Sequence, residues 1–182
     1  FGGGVTRSSE QAFSKESFLA AAEKLLAKRR GKPALDALRP FLEQYLADAF
    51  VEDVASLTVE DAASLALDLW EYDQENQSRP GSRAIRTRRP AGAGGKPLRI
   101  TVAEVAGDDM AFLVDSAIAA CQEAKVEVRA VLHPIVDGLK GKRSTIQIHL
   151  AALDEAMLAD VQKKLEEAFA DVDVVNADFH RM

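Results

Sequence analysis

The chain lacks the features that direct a protein into a membrane or out of the cell. None of its apolar runs reaches the roughly 20 residues that a membrane-spanning helix requires. Its start, FGGGVTRSSEQ, has neither an initiator methionine nor the basic-then-apolar order of a signal peptide. Its one cysteine, Cys121, cannot form an internal disulfide, which suits the cytoplasm. We expect a cytoplasmic protein without membrane contact, and an excised or processed piece with a flexible start over residues 1–13.

Motifs that carry catalysis or bind cofactors are equally scarce. The three histidines show no metal-ligand spacing, and no Cys/His cluster is present to hold zinc. No G-x-G-x-x-G follows a strand, because the glycines of AGAGG open no helix. Cys121 lies among alanines in a helical pattern, which is typical of a buried and inert thiol. We therefore predict that this chain has no catalytic, cofactor-binding or metal-binding residues.

Charge is distributed unevenly along the chain. Residues 76–97 hold five Arg and one Lys and no acid, so the rest of a chain with net charge −6 carries −12. A protein this acidic is not expected to bind nucleic acid, because phosphate contacts need a basic surface. Residues 76–97 are also rich in Pro, Gly and Ser and have no apolar periodicity. We interpret them as a mobile linker; a basic arm that binds an acidic partner is the alternative.

Before this stretch, residues 14–75 show apolar residues at helical spacing in three segments. Pro40 interrupts the second segment, which predicts a kink or a new helix start there. Thr58 is the expected N-cap of the third. Three short helices form a thin core, so this helical block should pack against a neighbour. The predicted buried faces are Phe18, Ala22 and Leu25; Leu35, Leu38, Leu42, Tyr45 and Leu46; and Val59, Ala62, Ala63, Ala66 and Trp70.

After it, residues 98–182 alternate between strand and helix patterns. Residues 98–105, 126–134 and 144–150 read as strands, and residues 109–124 and 153–171 as helices, the second capped by Asp154. Residues 172–175, VDVV, would add a short last strand. The order β-α-β-β-α-(β) predicts an α+β, ferredoxin-like module with both helices on one face of an antiparallel sheet.

The sheet itself carries information on binding partners. The strands LRITVAEV and STIQIHL have no aromatic residue on which RNA bases could stack, so RNA binding is not expected. A module of this type leaves one sheet face open, and exposed apolar residues there would mark an interface. We therefore expect self-association through the module's sheet or an edge strand. The candidates for that surface are Ile100, Val102, Ile146 and Ile148.

Two adjacent aspartates, Asp108 and Asp109, lie where the first strand of this module meets its first helix. An aspartate at this position can cap the helix. We expect Asp109 to be the cap, which leaves Asp108 free to pair with an ammonium group. The free N–H groups of the helix can bind a carboxylate. An amino acid carries both charges and would suit this corner; the alternative is that the aspartates only cap.

The stretches DDMAFLVDS and VEVRAVLHPI resemble the N-terminal region of the very large bacterial NAD-specific glutamate dehydrogenases. That region has a D-D-M-P-F-L-V-D-S motif, a strand that ends in H-P and a strand that opens with E-S. Here Ala111 stands in place of the motif's proline and Arg143 in place of the glutamate, while His133 and Pro134 match. The segment between Pro134 and Arg143 is shorter than expected, and the helical block, including Trp70, is also similar.

The resemblance implies that the chain is a non-catalytic regulatory or assembly module of ACT type. Its parent enzyme would oxidise glutamate to 2-oxoglutarate and ammonia with NAD, through catalytic and Rossmann regions further along the chain. The implied partners are those downstream domains, further copies in a homo-oligomer and an amino-acid effector. The implied effector site comprises Asp108, Asp109, Met110, Phe112 and His133. A free-standing amino-acid sensor and a purely structural interface domain are the alternatives.

Overall fold

The computed structural model describes residues 13–30, 35–47, 54, 56–77 and 83–181. Nearly all of the predicted flexible start, and residues 78–82 of the predicted linker, lie outside the described residues. The helices are α1 (Lys15–Arg30), α2 (Leu35–Ala47), α3 (Val59–Asn76), α4 (Leu113–Glu123) and α5 (Glu155–Arg181). The strands are β1 (Ala84–Arg88), β2 (Ile100–Asp108), β3 (Val128–Leu132), β4 (Ile135–Gly138) and β5 (Gly141–Ala151).

The five strands form one antiparallel sheet in the order β1-β2-β5-β3, and β4 pairs with the beginning of β5. The central pair is β2 and β5, whose register places Ile100 opposite Ala151 and Asp108 opposite Arg143. The predicted α+β class is confirmed, and the arrangement is that of an ACT-like module. One edge strand comes from a different part of the chain than expected. β1 precedes the predicted module in the sequence, and it occupies the position beside β2 that the last strand of a β-α-β-β-α-β module would take.

The linker interpretation is wrong for residues 84–88, which form β1, so the sheet begins at residue 84 and not at residue 98. The segment AIRTR alternates, with Ile85 and Thr87 towards α5 and Arg86 and Arg88 towards the helical block. The arginines bind a buried carboxylate, Glu104, that lies far along the chain. The composition of the segment alone indicates a solvated linker, because it contains no sign of the Glu104 carboxylate that binds its arginines.

The predicted last strand, residues 172–175, is also wrong, because α5 continues through it to Arg181. Leu165, Phe169 and Val172 keep helical spacing and are buried in the core between the helices and the sheet. The sheet edge that a last strand would join is already occupied by β1. Helix packing therefore prevails over the β-branched composition of VDVV.

Both faces of the sheet are covered. Helices α4 and α5 pack on one face, where Ile146 and Ile148 are buried. The helical block packs on the other, where Leu65 of α3 contacts Ile100 and Val102. The prediction of an open apolar sheet face formed by these isoleucines and Val102 is therefore wrong. The expectation that the helical block leans on a neighbour is confirmed, and that neighbour is the sheet.

Within the helical block, Thr58 is the N-cap of α3 as predicted, with its Oγ1 accepting from the Asp61 N–H at 3.1 Å. Helix α2 begins at Leu35 and runs through Pro40, so the proline does not start a new helix. In α1 the fully buried leucine is Leu26 and not Leu25, which is only partly buried. Among the described residues, none of the helices combines the length and apolar character needed to cross a bilayer.

The two predicted aspartate caps have opposite outcomes. Asp154 caps α5, because its Oδ1 accepts from the Met157 N–H at 2.8 Å. Asp109 does not cap α4, which begins only at Leu113 and whose first turn no side chain caps. Four residues separate the end of β2 from the start of α4. The prediction that Asp109 is the cap is therefore wrong, because it placed the helix start directly after the strand.

Replacing Asp154 with Ala is expected to lower the free energy of unfolding by about 0.5–2 kcal/mol, the usual cost of a lost N-cap. The matched Asp109→Ala change should cost less than about 0.5 kcal/mol, because this exposed carboxylate caps nothing. Urea unfolding of both variants measures the difference. An equal loss in the two variants would contradict the assignment.

Candidate functional site

A buried layer of polar side chains joins the helical block to the sheet. At its centre the amide of Gln147 donates to the Leu65 carbonyl at 3.0 Å and to Glu104 Oε2 at 2.9 Å. The Gln147 Oε1 accepts from the Tyr45 hydroxyl at 2.5 Å and from His149 Nε2 at 2.9 Å. Since that oxygen can only accept, His149 carries its proton on Nε2. Each group in this cluster therefore has a partner, as a buried polar network requires.

Glu104 is fully buried and pairs with both arginines of β1, Arg86 and Arg88. Its Oε1 accepts from Arg86 Nε at 2.8 Å and from Arg88 Nε at 2.6 Å. Burial raises the pKa of the Glu104 carboxyl, but the hydrogen bond and charge of Arg88, with Arg86 and Gln147, hold it below its usual value overall. Glu104 is therefore ionised at neutral pH. Arg88 also pairs with Asp68 of α3 at 3.2 Å, which extends the contact to the helical block.

Arg143 forms a second link between the helical block and the sheet. Its Nη2 and Nε lie 2.7 and 3.1 Å from Asp73 Oδ1, and both side chains are buried. Its Nη1 lies 3.4 Å from Asp108 Oδ1, at the end of β2. Arg143 therefore has a buried partner in α3 and also reaches Asp108, at the corner between β2 and α4.

The corner between β2 and α4 brings four of the predicted effector residues together. Asp108 ends β2 with 64% of its side chain exposed, and Asp109 is exposed while its N–H donates to the Lys142 carbonyl at 2.9 Å. Met110 is partly buried against the core. Phe112 stands at the start of α4 in the left-handed conformation, φ 70° and ψ 10°. The carboxylates are therefore accessible, with no capping role to occupy them.

The fifth predicted residue, His133, lies at the same end of the sheet. Its Nε2 is hydrogen-bonded to Ser144 Oγ, and Ser144 is opposite Gly107 in the register of β2 and β5. Gly107 directly precedes Asp108. His133 is half-buried and contacts β5 through Ser144, whereas the carboxylates of Asp108 and Asp109 are exposed to solvent.

Arg83 is a residue of this corner that the sequence did not reveal. Its side chain is 6% exposed; Nη2 lies 3.1 Å from Met110 Sδ and from Asp173 Oδ1, and Nη1 donates to the Asp108 carbonyl at 3.5 Å. Its Nε is buried without a hydrogen-bond partner among the described residues. A Cβ at Gly107 would lie 2.9 Å from Nη1, so glycine makes room for the guanidinium. Arg83 lies within the predicted linker, and no local sequence pattern indicates its contacts with this corner.

The one cysteine is buried. Burial raises the pKa of the Cys121 thiol to about 11, so it remains protonated at neutral pH. Within the described part of the chain, no group of three or more His, Cys, Asp or Glu is placed to hold a metal ion. The charged and polar groups of the corner can form ion pairs and hydrogen bonds.

Replacing Phe112 with Gly is expected to raise the free energy of unfolding by about 1 kcal/mol. A left-handed conformation costs a non-glycine residue roughly 1–2 kcal/mol, and glycine adopts it freely. Little burial is lost, since Phe112 is 62% exposed. The control is Phe112→Ala, which removes the same ring but keeps the Cβ, and should show no such gain. Equal stabilities of the two variants in urea unfolding would contradict the prediction.

Comparison with known proteins places this architecture in a family. The family model described as "Glutamate dehydrogenase, ACT1 domain" matches residues 41–175, from α2 to near the end of α5. No curated protein matches the chain. The matched region includes the polar layer and the whole β2–α4 corner, and it covers most of the sequence. The chain therefore belongs to the glutamate dehydrogenase ACT1-domain family.

Proposed function

We propose that this chain is a non-catalytic regulatory module of an NAD-specific glutamate dehydrogenase, and that its β2–α4 corner binds an amino-acid effector. In the parent enzyme, which deaminates glutamate oxidatively to 2-oxoglutarate and ammonia, NAD would be bound by downstream domains. The family match supports the glutamate dehydrogenase assignment. The regulatory role rests on the geometry of the corner.

One observation carries the proposal: charged groups of both signs, Asp108 and Arg83, border the segment between β2 and α4. The Asp108 carboxylate has a single long contact, 3.4 Å to Arg143. The Arg83 guanidinium contacts the Asp108 backbone carbonyl at 3.5 Å and pairs with Asp173, while its buried Nε has no hydrogen-bond partner among the described residues. The N-cap residue of α4, Phe112, makes no side-chain capping hydrogen bond. A zwitterion complements both signs of charge, whereas a simple anion would be repelled by Asp108 and Asp109.

Each charge of an amino acid then has a partner at the corner. The ammonium group would pair with Asp108, because a charge-assisted hydrogen bond to a carboxylate is among the stronger polar contacts. The carboxylate would bind the open N–H groups of α4 with the positive charge of Arg83 nearby. Phe112, exposed at the start of α4, would contact an apolar effector side chain. His133 would hold the β3–β5 side of the site through Ser144.

A thermal-shift screen of the chain against the twenty common amino acids tests the proposal. A ligand at 100 times its Kd adds about 2.7 kcal/mol to the free energy of unfolding, which raises the melting temperature by several degrees. We expect at least one amino acid to give this shift. A flat response to all of them at 10 mM would contradict the effector site and favour a purely structural interface domain.

Calorimetric titration with NAD serves as the companion measurement. We expect no binding to this chain, because no glycine-rich loop opens a helix to hold the pyrophosphate. Micromolar binding of NAD would contradict the non-catalytic assignment.

Assembly with further copies of the chain remains part of the proposal. Because both sheet faces are covered, self-association would use an edge strand, β1 or β3. A strictly monomeric sedimentation profile at high protein concentration would count against this.

A further inference from the structure

A groove runs along the outer surface of α4 and α5. It shares Phe112 with the proposed effector site between β2 and α4, which we call the effector corner, and its other lining residues lie outside that site. Its volume is about 640 Å³, and its floor consists of small or apolar residues of the two helices, Ala119, Ala120, Ala168, Val172 and Val175. Small residues on facing helices let a third backbone approach closely. The groove runs along the length of α4, about 16 Å for its 11 residues, which is three turns of a helix.

Carboxylates line the rim of this groove. Asp115 and Glu123 project from α4, and Glu167 and Asp171 project from α5. Among the described lining residues the cationic side chain is Lys164, which is bound to Asp160 at 2.7 Å. None of the four rim carboxylates forms an ion pair with another described residue. The rim therefore carries net negative charge around an apolar floor, and Lys164 offsets part of it through its electrostatic interaction with Glu123 and Glu167.

An aromatic side chain closes one end of the groove. Phe112 lines it with 62% of its surface exposed, and Val175 at the same end of α5 is 52% exposed. Phe112 also holds the left-handed backbone conformation, which large side chains seldom adopt. The left-handed backbone of Phe112 costs free energy and leaves its apolar ring exposed to solvent, and both features are typical of binding surfaces.

We propose that this groove docks a cationic amphipathic helix of another polypeptide segment, as a third helix laid between α4 and α5. The apolar face of that helix would cover the alanines and Phe112, and Lys or Arg residues on its flanks would pair with the four rim carboxylates. Helix-in-groove recognition uses an apolar face at helical spacing together with flanking charge. Complementary charge along the whole rim selects a cationic helix over an acidic one.

The probe is a synthetic amphipathic peptide of about 16 residues, long enough to form a helix, with Leu on one face and Lys and Arg on its flanks. Its binding to the chain is measured by fluorescence anisotropy at low and high salt. Two control peptides accompany it: one with Glu in place of the cationic residues, and one of the same composition in scrambled, non-amphipathic order. We expect the cationic peptide alone to bind, and its affinity to fall as salt rises.

The site is tested with a charge-reversal pair on the rim, Glu167→Lys with Asp171→Lys. A matched control reverses two exposed acids elsewhere, Glu43→Lys with Glu127→Lys, and so gives the same change in net charge. We expect the rim variant to lose at least tenfold in affinity and the control to change less than threefold. Phe112→Gly, which should fold at least as well as the parent chain, is expected to weaken binding as well.

Three results would overturn the proposal: no binding of the cationic peptide, equal binding of the scrambled peptide, or equal loss in the rim and control variants. The rim variant leaves Asp108, Asp109 and Arg83 in place. It should therefore keep any thermal shift produced by an amino acid. A variant that loses peptide binding but keeps that shift separates the groove from the effector corner.

Discussion

Replacing Glu104 with Gln is expected to lower the free energy of unfolding by about 3 kcal/mol. Removing one partner of a buried ion pair typically costs about 3–5 kcal/mol, because the other charge is left unpaired. The lower end applies because Arg86 and Arg88 are about one-third exposed and can be solvated in part. Urea unfolding followed by circular dichroism measures the loss.

The matched control for this change is Glu155→Gln. Glu155 pairs with Arg89 at 3.1 Å, but the two side chains are 90% and 50% exposed, so the pair contributes little. We expect a loss below about 0.5 kcal/mol in this variant. If Glu104→Gln cost no more than Glu155→Gln, the buried polar layer would not be what holds the helical block to the sheet.

Acidification is expected to destabilise the chain through His149. Burial lowers the pKa of His149 from 6.5 to about 4, although the charge of Glu104 opposes this. In the unfolded chain the pKa returns to its ordinary value, so between these two pH values the unfolded state binds more protons and stability falls as pH falls. At about 1.4 kcal/mol per pKa unit, the full loss is about 3 kcal/mol.

The variant His149→Gln isolates this contribution. Glutamine can still donate to Gln147 Oε1, but it does not titrate. We expect the fall in stability between pH 7 and pH 4.5 to be smaller in the variant than in the parent chain by about 2 kcal/mol. Parallel stability curves for the two proteins over this range would contradict the assignment.

Much of the fold was predictable from the sequence because it depends on local patterns. The central strands and α4 follow from hydrophobic periodicity, and the caps at Thr58 and Asp154 follow from residue type and spacing. The predicted buried face of α3, from Val59 to Trp70, is also confirmed. Each of these features needs only a few neighbouring residues to be recognised.

The remaining features depend on partners distant in the chain. β1 pairs with β2, and its Arg86 and Arg88 bind Glu104, 16 to 18 residues further along the chain, which no local pattern indicates. For the same reason Arg83 was missed at the effector corner, although its contacts with Met110 and Asp108 place it there. The late start of α4 was missed because a left-handed Phe112 breaks the usual rule for non-glycine residues.

The segment between β2 and α4, where we propose the effector site, could be located from the sequence. The proximity of Asp108, Asp109, Met110 and Phe112 follows from their adjacency in the sequence, and the structure adds that neither aspartate is used as a cap. The role of Arg143 was hidden, because its partner Asp73 lies in a separate segment of the chain. Sequence can therefore locate such a corner, but the charges that complete it come from elsewhere.

Titration calorimetry of an amino acid that shifts the melting temperature, with parent and Asp108→Asn chains, tests the central claim most directly. The change keeps the size of the side chain but removes the charge that would pair with the ammonium group. We expect the Kd to rise about tenfold or more, since a hydrogen bond to a charged group contributes roughly 1.5–3 kcal/mol. The control, Asp137→Asn, alters a carboxylate that is 92% exposed on β4 and should leave the Kd unchanged. An unchanged Kd in Asp108→Asn, or an equal rise in Asp137→Asn, would contradict the assignment of the effector to this corner.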